Sequence, residues 1–342
     1  MGTTIVSIGA FICVLIPPST FWICSFIALT IPLLLIIQFF FLIYWGLKKN
    51  KQIILPLISL LVAYPFLSAT LSFSSQELSE NNLSVLSYNT RVFNVYDHLN
   101  KDFDSSKKMI DWVSKEDSDV KCFQEYYNDK KSPIFKTTQK IGNNAGYYHF
   151  VKPVVINHIG AEFGLAIFSK YPIVEKGVID LQMQSTNSAI FADIKVNQDT
   201  IRIINIHLQS LSISEDDLAF NSNSKENYKN LFTKIKEGYI NRDKQLANIE
   251  TYLKDSPYKT IVCGDLNDTP YSYVYFRLKK YLNNAFEEAG TGFGFTYNGK
   301  LFFLRIDNQF YSEGLEATGF ETKREVKFSD HFPIKVFYNL EN

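Results

Sequence analysis

The sequence predicts an apolar helical segment followed by an α/β domain in which two mixed β-sheets pack together with helices outside. Two features of the chain lead to this prediction. The 35 basic and 35 acidic residues are unevenly spread over the 342 positions, because residues 1–73 carry only Lys48, Lys49 and Lys51 and no acid. In the remainder, strand-like and helix-like runs follow one another without the regular alternation of a doubly wound sheet.

Three hydrophobic runs predict two or three transmembrane helices, at about residues 4–18, 21–47 and 52–73. A bilayer core needs about 20 apolar residues per helix, so the second and third runs are long enough and the first is marginal. A signal peptide is the alternative for the first run, but no positive charge precedes it. Buried core helices are the alternative for the other two, and the lack of a polar face disfavours them.

The one basic cluster of the segment, Lys48, Lys49 and Lys51, lies between the second and third runs. By the positive-inside rule this loop is cytoplasmic. We therefore expect an integral membrane protein that contacts the lipid bilayer through its N-terminal helices, with the following domain on the non-cytoplasmic side. Residues 74–82 are predicted to be a short linker, and residues 83–342 are sufficient for one α/β domain.

Hydrophobic periodicity predicts the elements of this domain. Residues 83–88, 105–117 and 120–124 predict a β–α–β opening. Further strands are predicted at 163–169, 189–196, 201–207, 258–263, 301–310 and 335–338, with a helix at 242–253. The polar stretch 210–238 is predicted to be a surface insertion with some helix.

Composition excludes several classes of protein. Without the three lysines of the apolar segment, the chain carries 32 basic residues against 35 acidic ones, a net charge of −3. Binding of nucleic acid by bulk positive charge is therefore excluded. Four cysteines are too few for a disulfide framework in a chain of this length. A transporter is disfavoured because the apolar segment has no acid, histidine or arginine to mark a pathway.

Polar residues stand at the ends of the predicted strands throughout the domain. Asn89 ends LSVLSYN, Glu125 ends DVKCFQE, His207 ends IRIINIH, Asp265 and Asn267 lie in GDLND, Asp307 lies in LRIDNQF, and Asp330 and His331 lie in FSDHFP. A single Asp or Asn after a strand is usually a cap or turn residue. Their accumulation over six segments instead predicts a polar pocket at the strand ends.

In this order the motifs resemble the endonuclease/exonuclease/phosphatase superfamily of metal-dependent, DNase I-like phosphoesterases. GDLND and SDH are the most specific pieces, and QE after a strand, FGLAIFSKYPI and NIHLQS support them. The resemblance covers about residues 83–338. It implies a four-layer α/β sandwich of two packed mixed β-sheets flanked by helices. It also implies a divalent metal, Mg²⁺ or alternatively Mn²⁺, in a cleft at the strand ends.

The resemblance also implies a role for each polar residue. Glu125 is the expected main metal ligand, with Asn89 and Asp330 completing the oxygen shell directly or through water. Among the catalytic residues, Asp265 would orient or deprotonate the attacking water, and Asn267 would hold that water or a phosphoryl oxygen. His331 would contact the phosphate with its tautomer fixed by Asp307, and His207 would hydrogen-bond the phosphate or protonate the leaving oxygen.

The sequence therefore predicts a membrane-anchored, divalent-metal-dependent hydrolase acting on a phosphodiester or a phosphomonoester. Its substrate stays open among a lipid headgroup, a small molecule and nucleic acid, and no protein partner is predicted. One alternative is a nuclease that acts outside the cytoplasm. An alternative of another class is a catalytically inactive, membrane-tethered binding module, which is disfavoured because every motif position keeps the chemistry it needs.

Overall fold

The structure, a computed structural model of the chain, describes residues 1–74, 83–100, 103–181, 187–211 and 225–340. Most of the predicted linker, residues 75–82, lies outside the described residues. The N-terminal segment consists of the helices α1 (Gly2–Cys13), α2 (Pro18–Phe21), α3 (Ile23–Ala28), α4 (Ile31–Leu47), α5 (Ile54–Val62) and α6 (Tyr64–Thr70).

The predicted apolar spans are not continuous helices. The run 21–47 is interrupted between α3 and α4, and Pro32 occupies the first turn of α4, where the missing N–H costs least. The third run bends by 61° between α5 and α6. Within the described part of the chain, no single helix is both long and apolar enough to cross a membrane, and one bent pair, Lys51–Val62 with Tyr64–Thr70, passes that test together.

The polar domain contains two six-stranded mixed sheets. The first sheet has β2 (Leu83–Asn89), β3 (Val120–Asn128), β4 (Tyr148–Ile156), β5 (Glu162–Ser169), β13 (Leu315–Thr322) and β14 (Ile334–Leu340), in the order β13-β14-β2-β3-β5-β4. The second sheet has β6 (Ile173–Ile179), β7 (Ser188–Val196), β8 (Asp199–His207), β9 (Lys259–Asp265), β10 (Asn283–Asn284) and β12 (Asp307–Tyr311), in the order β10-β12-β9-β8-β7-β6. The pairs β2–β3 and β8–β9 are parallel, which makes both sheets mixed.

Apolar side chains fill the space between the two sheets and cover their outer faces. Cys122 and Ile167 of the first sheet share one core with Ile203 and Cys263 of the second. Helix α8 (Phe103–Lys115) covers the first sheet, while α9 (Lys225–Lys254) and α10 (Tyr273–Lys279) cover the second. Two short helices, α7 (Val95–Leu99) and α11 (Ala285–Ala289), complete the domain. The prediction of two packed mixed sheets with helices outside is confirmed.

Several predicted elements differ from the observed ones. The strand predicted at 301–310 begins only at Asp307, because the chain before it forms a loop in which Leu304 N donates to Leu301 O. The helix predicted at 242–253 is the C-terminal part of α9, so the predicted insertion is helical from Lys225 onward, and residues 212–224 lie outside the described residues. Strands β4, β6 and β13 are not predicted by the sequence, because charged residues such as Lys152, Glu175 and Glu316 interrupt their apolar residues.

The N-terminal segment packs directly on the second sheet's helical layer. Phe66 of α6 lies 4.9 Å from Phe276 of α10, measured between ring centroids, and Phe26 of α3 stacks on Phe232 of α9 at 4.7 Å. The strand β1 (Ser72–Phe73) pairs with β11 (Thr291–Gly292) of the domain. The apolar segment and the polar domain are therefore in contact on one side of the second sheet.

Candidate active site

Three neighbouring strands of the second sheet end in polar residues that lie side by side. His207, the last residue of β8, is paired with Asp265, the last residue of β9. Asp265 is paired in turn with Asp307, the first residue of β12. All three side chains are buried. Residues paired across neighbouring strands point to the same face of a sheet, so the register alone gathers these three groups.

His331 joins this row from the loop that precedes β14. Its Nδ1 lies 2.9 Å from Asp307 Oδ2, and its Nε2 lies 3.8 Å from Asp265 Oδ2. Burial by itself would lower the pKa of His331, but the charges of Asp307 and Asp265 outweigh it and hold this pKa well above its usual value of 6.5. The two carboxylates therefore favour the protonated imidazole, in which both nitrogens are donors.

Asp265 occupies the centre of the group. Burial is the main reason that its pKa is raised, the charge of Asp307 adds to it, and His331 and His207 partly offset it. A buried carboxylate with a raised pKa holds a proton more readily than an exposed one, which is a property of a general base.

Asn89 and Glu125 of the first sheet lie beside Asp265 and His207 of the second. Asn89 Nδ2 donates to Glu125 Oε1 at 3.3 Å and to Asp265 Oδ2 at 3.1 Å, so one amide bridges the two sheets. His207 Nε2 lies 3.9 Å from Glu125 Oε1 and 3.7 Å from Asp265 Oδ2. The site therefore lies at the strand ends of both sheets, where the resemblance places it.

The backbone at Glu125 forms an irregularity in strand β3 that changes the direction of its side chain. The pairing of β3 with β5 shifts register between Phe123 and Tyr126, and Glu125 has a φ of 48°. A left-handed conformation in a residue other than glycine costs about 1–3 kcal/mol. Thr90 stabilises it, because its Oγ1 donates to Glu125 O at 2.9 Å. The bulge leaves the Glu125 side chain 39% exposed while its neighbours in the row are buried.

The GDLND turn fixes Asp265 and Asn267. Gly264 has a φ of 138°, and a Cβ there would lie 2.0 Å from Ile206 O, so the adjacent strand excludes any other residue. Asp265 Oδ1 accepts a hydrogen bond from Asn267 N at 2.7 Å. Asn267 Nδ2 donates to Leu208 O at 3.0 Å, which ties the turn to the residue that follows His207.

The structure brings six of the eight predicted residues into one chain of side-chain contacts of at most 3.9 Å, namely Asn89, Glu125, His207, Asp265, Asp307 and His331. Asn267 and Asp330 flank them. The half-buried Asp330 reaches the group through Ser329, whose Oγ lies 3.1 Å from Asp330 Oδ1 and 2.9 Å from Asn89 O. The assignment of Asn89, Glu125 and Asp330 as metal ligands stays a prediction.

Several supporting residues were not predicted from the sequence. Gln124 Nε2 donates to Asn205 Oδ1 at 2.6 Å, a buried bond that ties the Glu125 strand to the His207 strand. Thr296 Oγ1 accepts from Asp307 N at 3.1 Å. The ring of Tyr297 meets His331 edge to face, with 5.6 Å between ring centroids. Gln124 and Asn205 stand inside QE and NIH, but nothing in the sequence marks Thr296.

Comparison with known proteins identifies the family. Residues 86–331 match the Endonuclease/Exonuclease/phosphatase family. The chain belongs to this family. Residues 1–70 match a separate domain of unknown function (DUF8431), so the change in composition near residue 73 coincides with a boundary between two matched units. No curated protein has a sequence similar enough to match the chain.

Several solved structures share the fold of the polar domain. A family protein from Bacteroides thetaiotaomicron is 18% identical with a TM-score of 0.56, covering 78% of this chain and 100% of its own. A mannosyl-6-phosphatase from the same organism is 18% identical with a TM-score of 0.54, covering 75% and 100%. The human Nocturnin catalytic domain with bound sulfate is 16% identical with a TM-score of 0.53, covering 78% and 97%.

The donor set of this family member suits a divalent cation. Three carboxylates, those of Glu125, Asp265 and Asp307, lie within 3.9 Å of the imidazoles of His207 and His331, and Asp330 adds a fourth carboxylate beside Ser329. Ligand atoms of Asp265, Asp307 and His331 all lie within 4.8 Å of one another. A hard cation with oxygen ligands would offset the excess negative charge, and Glu125, whose side chain is more exposed than those of Asp265 and Asp307, is accessible to it.

Proposed function

We propose that the chain is a membrane-anchored, divalent-metal-dependent phosphoesterase that hydrolyses its substrate by in-line attack of water. The observation that carries this proposal is the hydrogen-bonded pair of His331 and Asp307 beside Asp265 and Glu125, at the strand ends between two packed sheets. It combines an anion-binding donor, a buried base and oxygen ligands at one place, which is the set that phosphoester hydrolysis needs.

Glu125 would hold the metal, with Asn89 and Asp330 beside it. A bound divalent ion supplies positive charge that stabilises the phosphoryl oxygens. Asp265 would accept the proton of the attacking water, because its carboxylate is buried and its pKa is raised. Asn267 N already binds Asp265 Oδ1, which leaves Oδ2 as the oxygen that faces Asn89 and the histidines.

The two histidines would bind the phosphate. Asp307 engages Nδ1 of His331, so Nε2 is the nitrogen that can donate to a phosphoryl oxygen. His207 Nε2 lies on the other side of Asp265 and offers a second donor, which could also protonate the leaving oxygen. Donors held in fixed positions around the developing charge are worth more than mobile ones, because the protein need not reorganise during the reaction.

The loop that joins Tyr297 to Asp307 carries exposed aromatic side chains. Phe302 is 66% exposed and Phe303 is 52% exposed, and both lie in the loop between Tyr297, which contacts His331, and Asp307. With a net charge of −3 outside the apolar segment, this surface favours a phosphoester with an apolar part, such as a lipid, over a polynucleotide.

Metal-dependent hydrolysis tests the proposed activity. The full chain in detergent is assayed on bis-p-nitrophenyl phosphate, p-nitrophenyl phosphate, a phospholipid in mixed micelles and a short oligonucleotide. We expect turnover with Mg²⁺ or Mn²⁺ that EDTA abolishes and fresh metal restores, with the lipid preferred to the oligonucleotide. Turnover that EDTA leaves unchanged would contradict metal dependence. A folded protein that is inactive on all four substrates would favour the binding module.

Membrane anchoring is proposed on the apolar surface of the N-terminal helices. Leu33, Ile36, Phe39 and Phe40 of α4 are all more than half exposed, as is Leu61 of α5. A contiguous apolar surface of this kind marks contact with lipid or protein.

We expect the chain to remain in the membrane fraction after alkaline carbonate extraction, and a protease added from the non-cytoplasmic side to cleave the polar domain. Release by carbonate would contradict the anchor, and protection from the protease would contradict the orientation.

A further inference from the structure

Arg305 stands two residues before Asp307, and its side chain points away from the catalytic cleft. It is only 2% exposed. Its Nη1 donates to Asn308 Oδ1 at 2.6 Å, and its Nη2 donates to Ala69 O at the end of α6. One guanidinium therefore joins the residue next to Asp307 with the last helix of the apolar segment.

The environment of Arg305 is unusual for a buried cation. Within the described ranges no carboxylate forms an ion pair with it, and its Nε has no hydrogen-bond partner. Its guanidinium stacks over Phe286, 4.1 Å from the ring centroid, and lies 5.5 Å from that of Tyr275. Burying a charge without an opposite charge is costly, and apolar residues of similar size are often more stable in such places. Stability alone therefore gives a weak reason for an arginine here.

The apolar segment is held at this point by further polar contacts. Ser68 Oγ donates to Glu287 Oε2 at 2.7 Å, and Tyr275 OH donates to Glu287 Oε1 at 2.7 Å. Tyr275 OH also accepts from Arg305 Nη2 at 3.4 Å. The network thus runs from α6 through α11 and α10 to Arg305, and its apolar counterpart is the contact of Phe66 with Phe276.

Through Asn308, Arg305 is also linked to the hydrogen-bonded pair of Asp307 and His331. Asn308 follows Asp307 in β12, and consecutive strand residues point to opposite faces of the sheet. A shift of Asn308 therefore moves Asp307 in the cleft. Asp307 lies 2.9 Å from His331, a hydrogen bond that tolerates little displacement.

We propose that Arg305 is a positioning residue through which the docked apolar segment sets the place of Asp307 in the active site. This inference rests on the proposed function. The membrane segment is then part of the catalytic structure as well as an anchor, and undocking of α6 from the domain lowers the activity. The partner that Arg305 recognises is the free carbonyl at the end of α6 in the same chain.

A double-substitution cycle in the full chain tests the proposal. We expect Arg305→Met to lower kcat roughly 10–100-fold with little change in KM, because a displacement of about 1 Å can cost about a hundredfold in rate. In the Asp307→Asn background the same substitution should lower kcat less than about twofold, since the residue it positions is already lost. Equal losses in both backgrounds, or a loss confined to KM, would overturn the positioning role.

Two further variants separate positioning from general stability. Arg202 is also buried in the second sheet, where it pairs with Asp193 at 2.7 Å, far from the strand ends of the site. Arg202→Met should lower the unfolding temperature while kcat stays at the parent value. Phe66→Ala loosens α6 without touching the polar network, so it should lower kcat in the parent and have no additional effect in Arg305→Met.

Hydrogen–deuterium exchange makes the test independent of catalysis. We expect Phe66→Ala to increase exchange in peptides covering Asp307–Tyr311 in the parent, but not further in Arg305→Met, while peptides of β7 stay unchanged. The proposal is wrong if Phe66→Ala leaves Asp307–Tyr311 unaffected or gives the same increase in both backgrounds. A chain without hydrolytic activity that still shows the expected exchange would refute the proposed function and retain the structural coupling.

Discussion

Asp307→Asn should lower kcat by roughly two to four orders of magnitude while the protein stays folded. The carboxylate accepts the Nδ1 proton of His331 at 2.9 Å, and it is one of the two charges that keep this imidazole protonated. An asparagine can present its NH₂ group to Nδ1 instead of an acceptor, which selects the wrong tautomer. The measurement is steady-state hydrolysis of bis-p-nitrophenyl phosphate at saturating metal.

The loss of stability caused by Asp307→Asn should also depend on pH. The pKa of His331 is raised in the folded protein above its usual 6.5, so the stabilisation is fully present below about pH 6.5 and is lost as the pH rises through the folded-state value. In metal-free protein, the loss of unfolding free energy caused by Asp307→Asn should therefore be largest near pH 6 and shrink toward pH 10. Denaturant unfolding in EDTA measures it.

Asp193→Asn is the matched control, because Asp193 is equally buried and pairs with Arg202 on another part of the second sheet. This variant should lose stability without the two-to-four-order loss of kcat. If Asp307→Asn retains the kcat of the parent, Asp307 does not orient a catalytic histidine. A stability difference that grows from pH 6 to pH 10 would contradict the charge coupling.

The proximity of several predicted site residues follows from strand register. His207 and Asp265 end the apolar strands β8 and β9, Asp307 begins β12, and the pairing of these neighbouring strands places the three in one row. Where an apolar run predicts a buried strand, the polar residue that ends the run is predicted to lie at the end of that strand. The motifs NIH and GDLND are short, and each lies at or directly after the end of one strand, so they can be recognised in the sequence without knowledge of distant contacts.

The supporting residues could not be predicted, since their roles depend on packing between distant segments. Thr296 accepts a hydrogen bond from Asp307 N across the loop that precedes β12, and the sequence predicts part of this loop as a strand at 301–310. Arg305 shares the sequence neighbourhood of Asp307, yet its partner Ala69 lies 236 positions away. The breaks in the apolar helices likewise depend on Pro32 and Pro65, whose effect on helix direction is set by tertiary contacts.

Glu125→Gln should reduce activity roughly a hundredfold or more at limiting Mg²⁺, with partial recovery at high metal concentration. The substitution keeps the size of the side chain, and it removes the charge of a partly exposed carboxylate of the cluster. An amide oxygen is a weaker ligand for a hard cation than a carboxylate. Activity titrated against Mg²⁺ gives the apparent metal affinity of parent and variant.

Thermal unfolding checks the same prediction without turnover. A ligand that binds only the folded state stabilises it, by about 2.7 kcal/mol at a hundred times its Kd, so Mg²⁺ should raise the unfolding temperature of the parent well above its value in EDTA. Glu125→Gln should lose most of this increase, while in EDTA it should be at least as stable as the parent, because one charge of a crowded acidic cluster is gone. Glu162→Gln, in β5 of the same sheet and paired with Lys130, should keep the full increase. Equal increases in the parent and Glu125→Gln would show that the metal binds elsewhere in the chain.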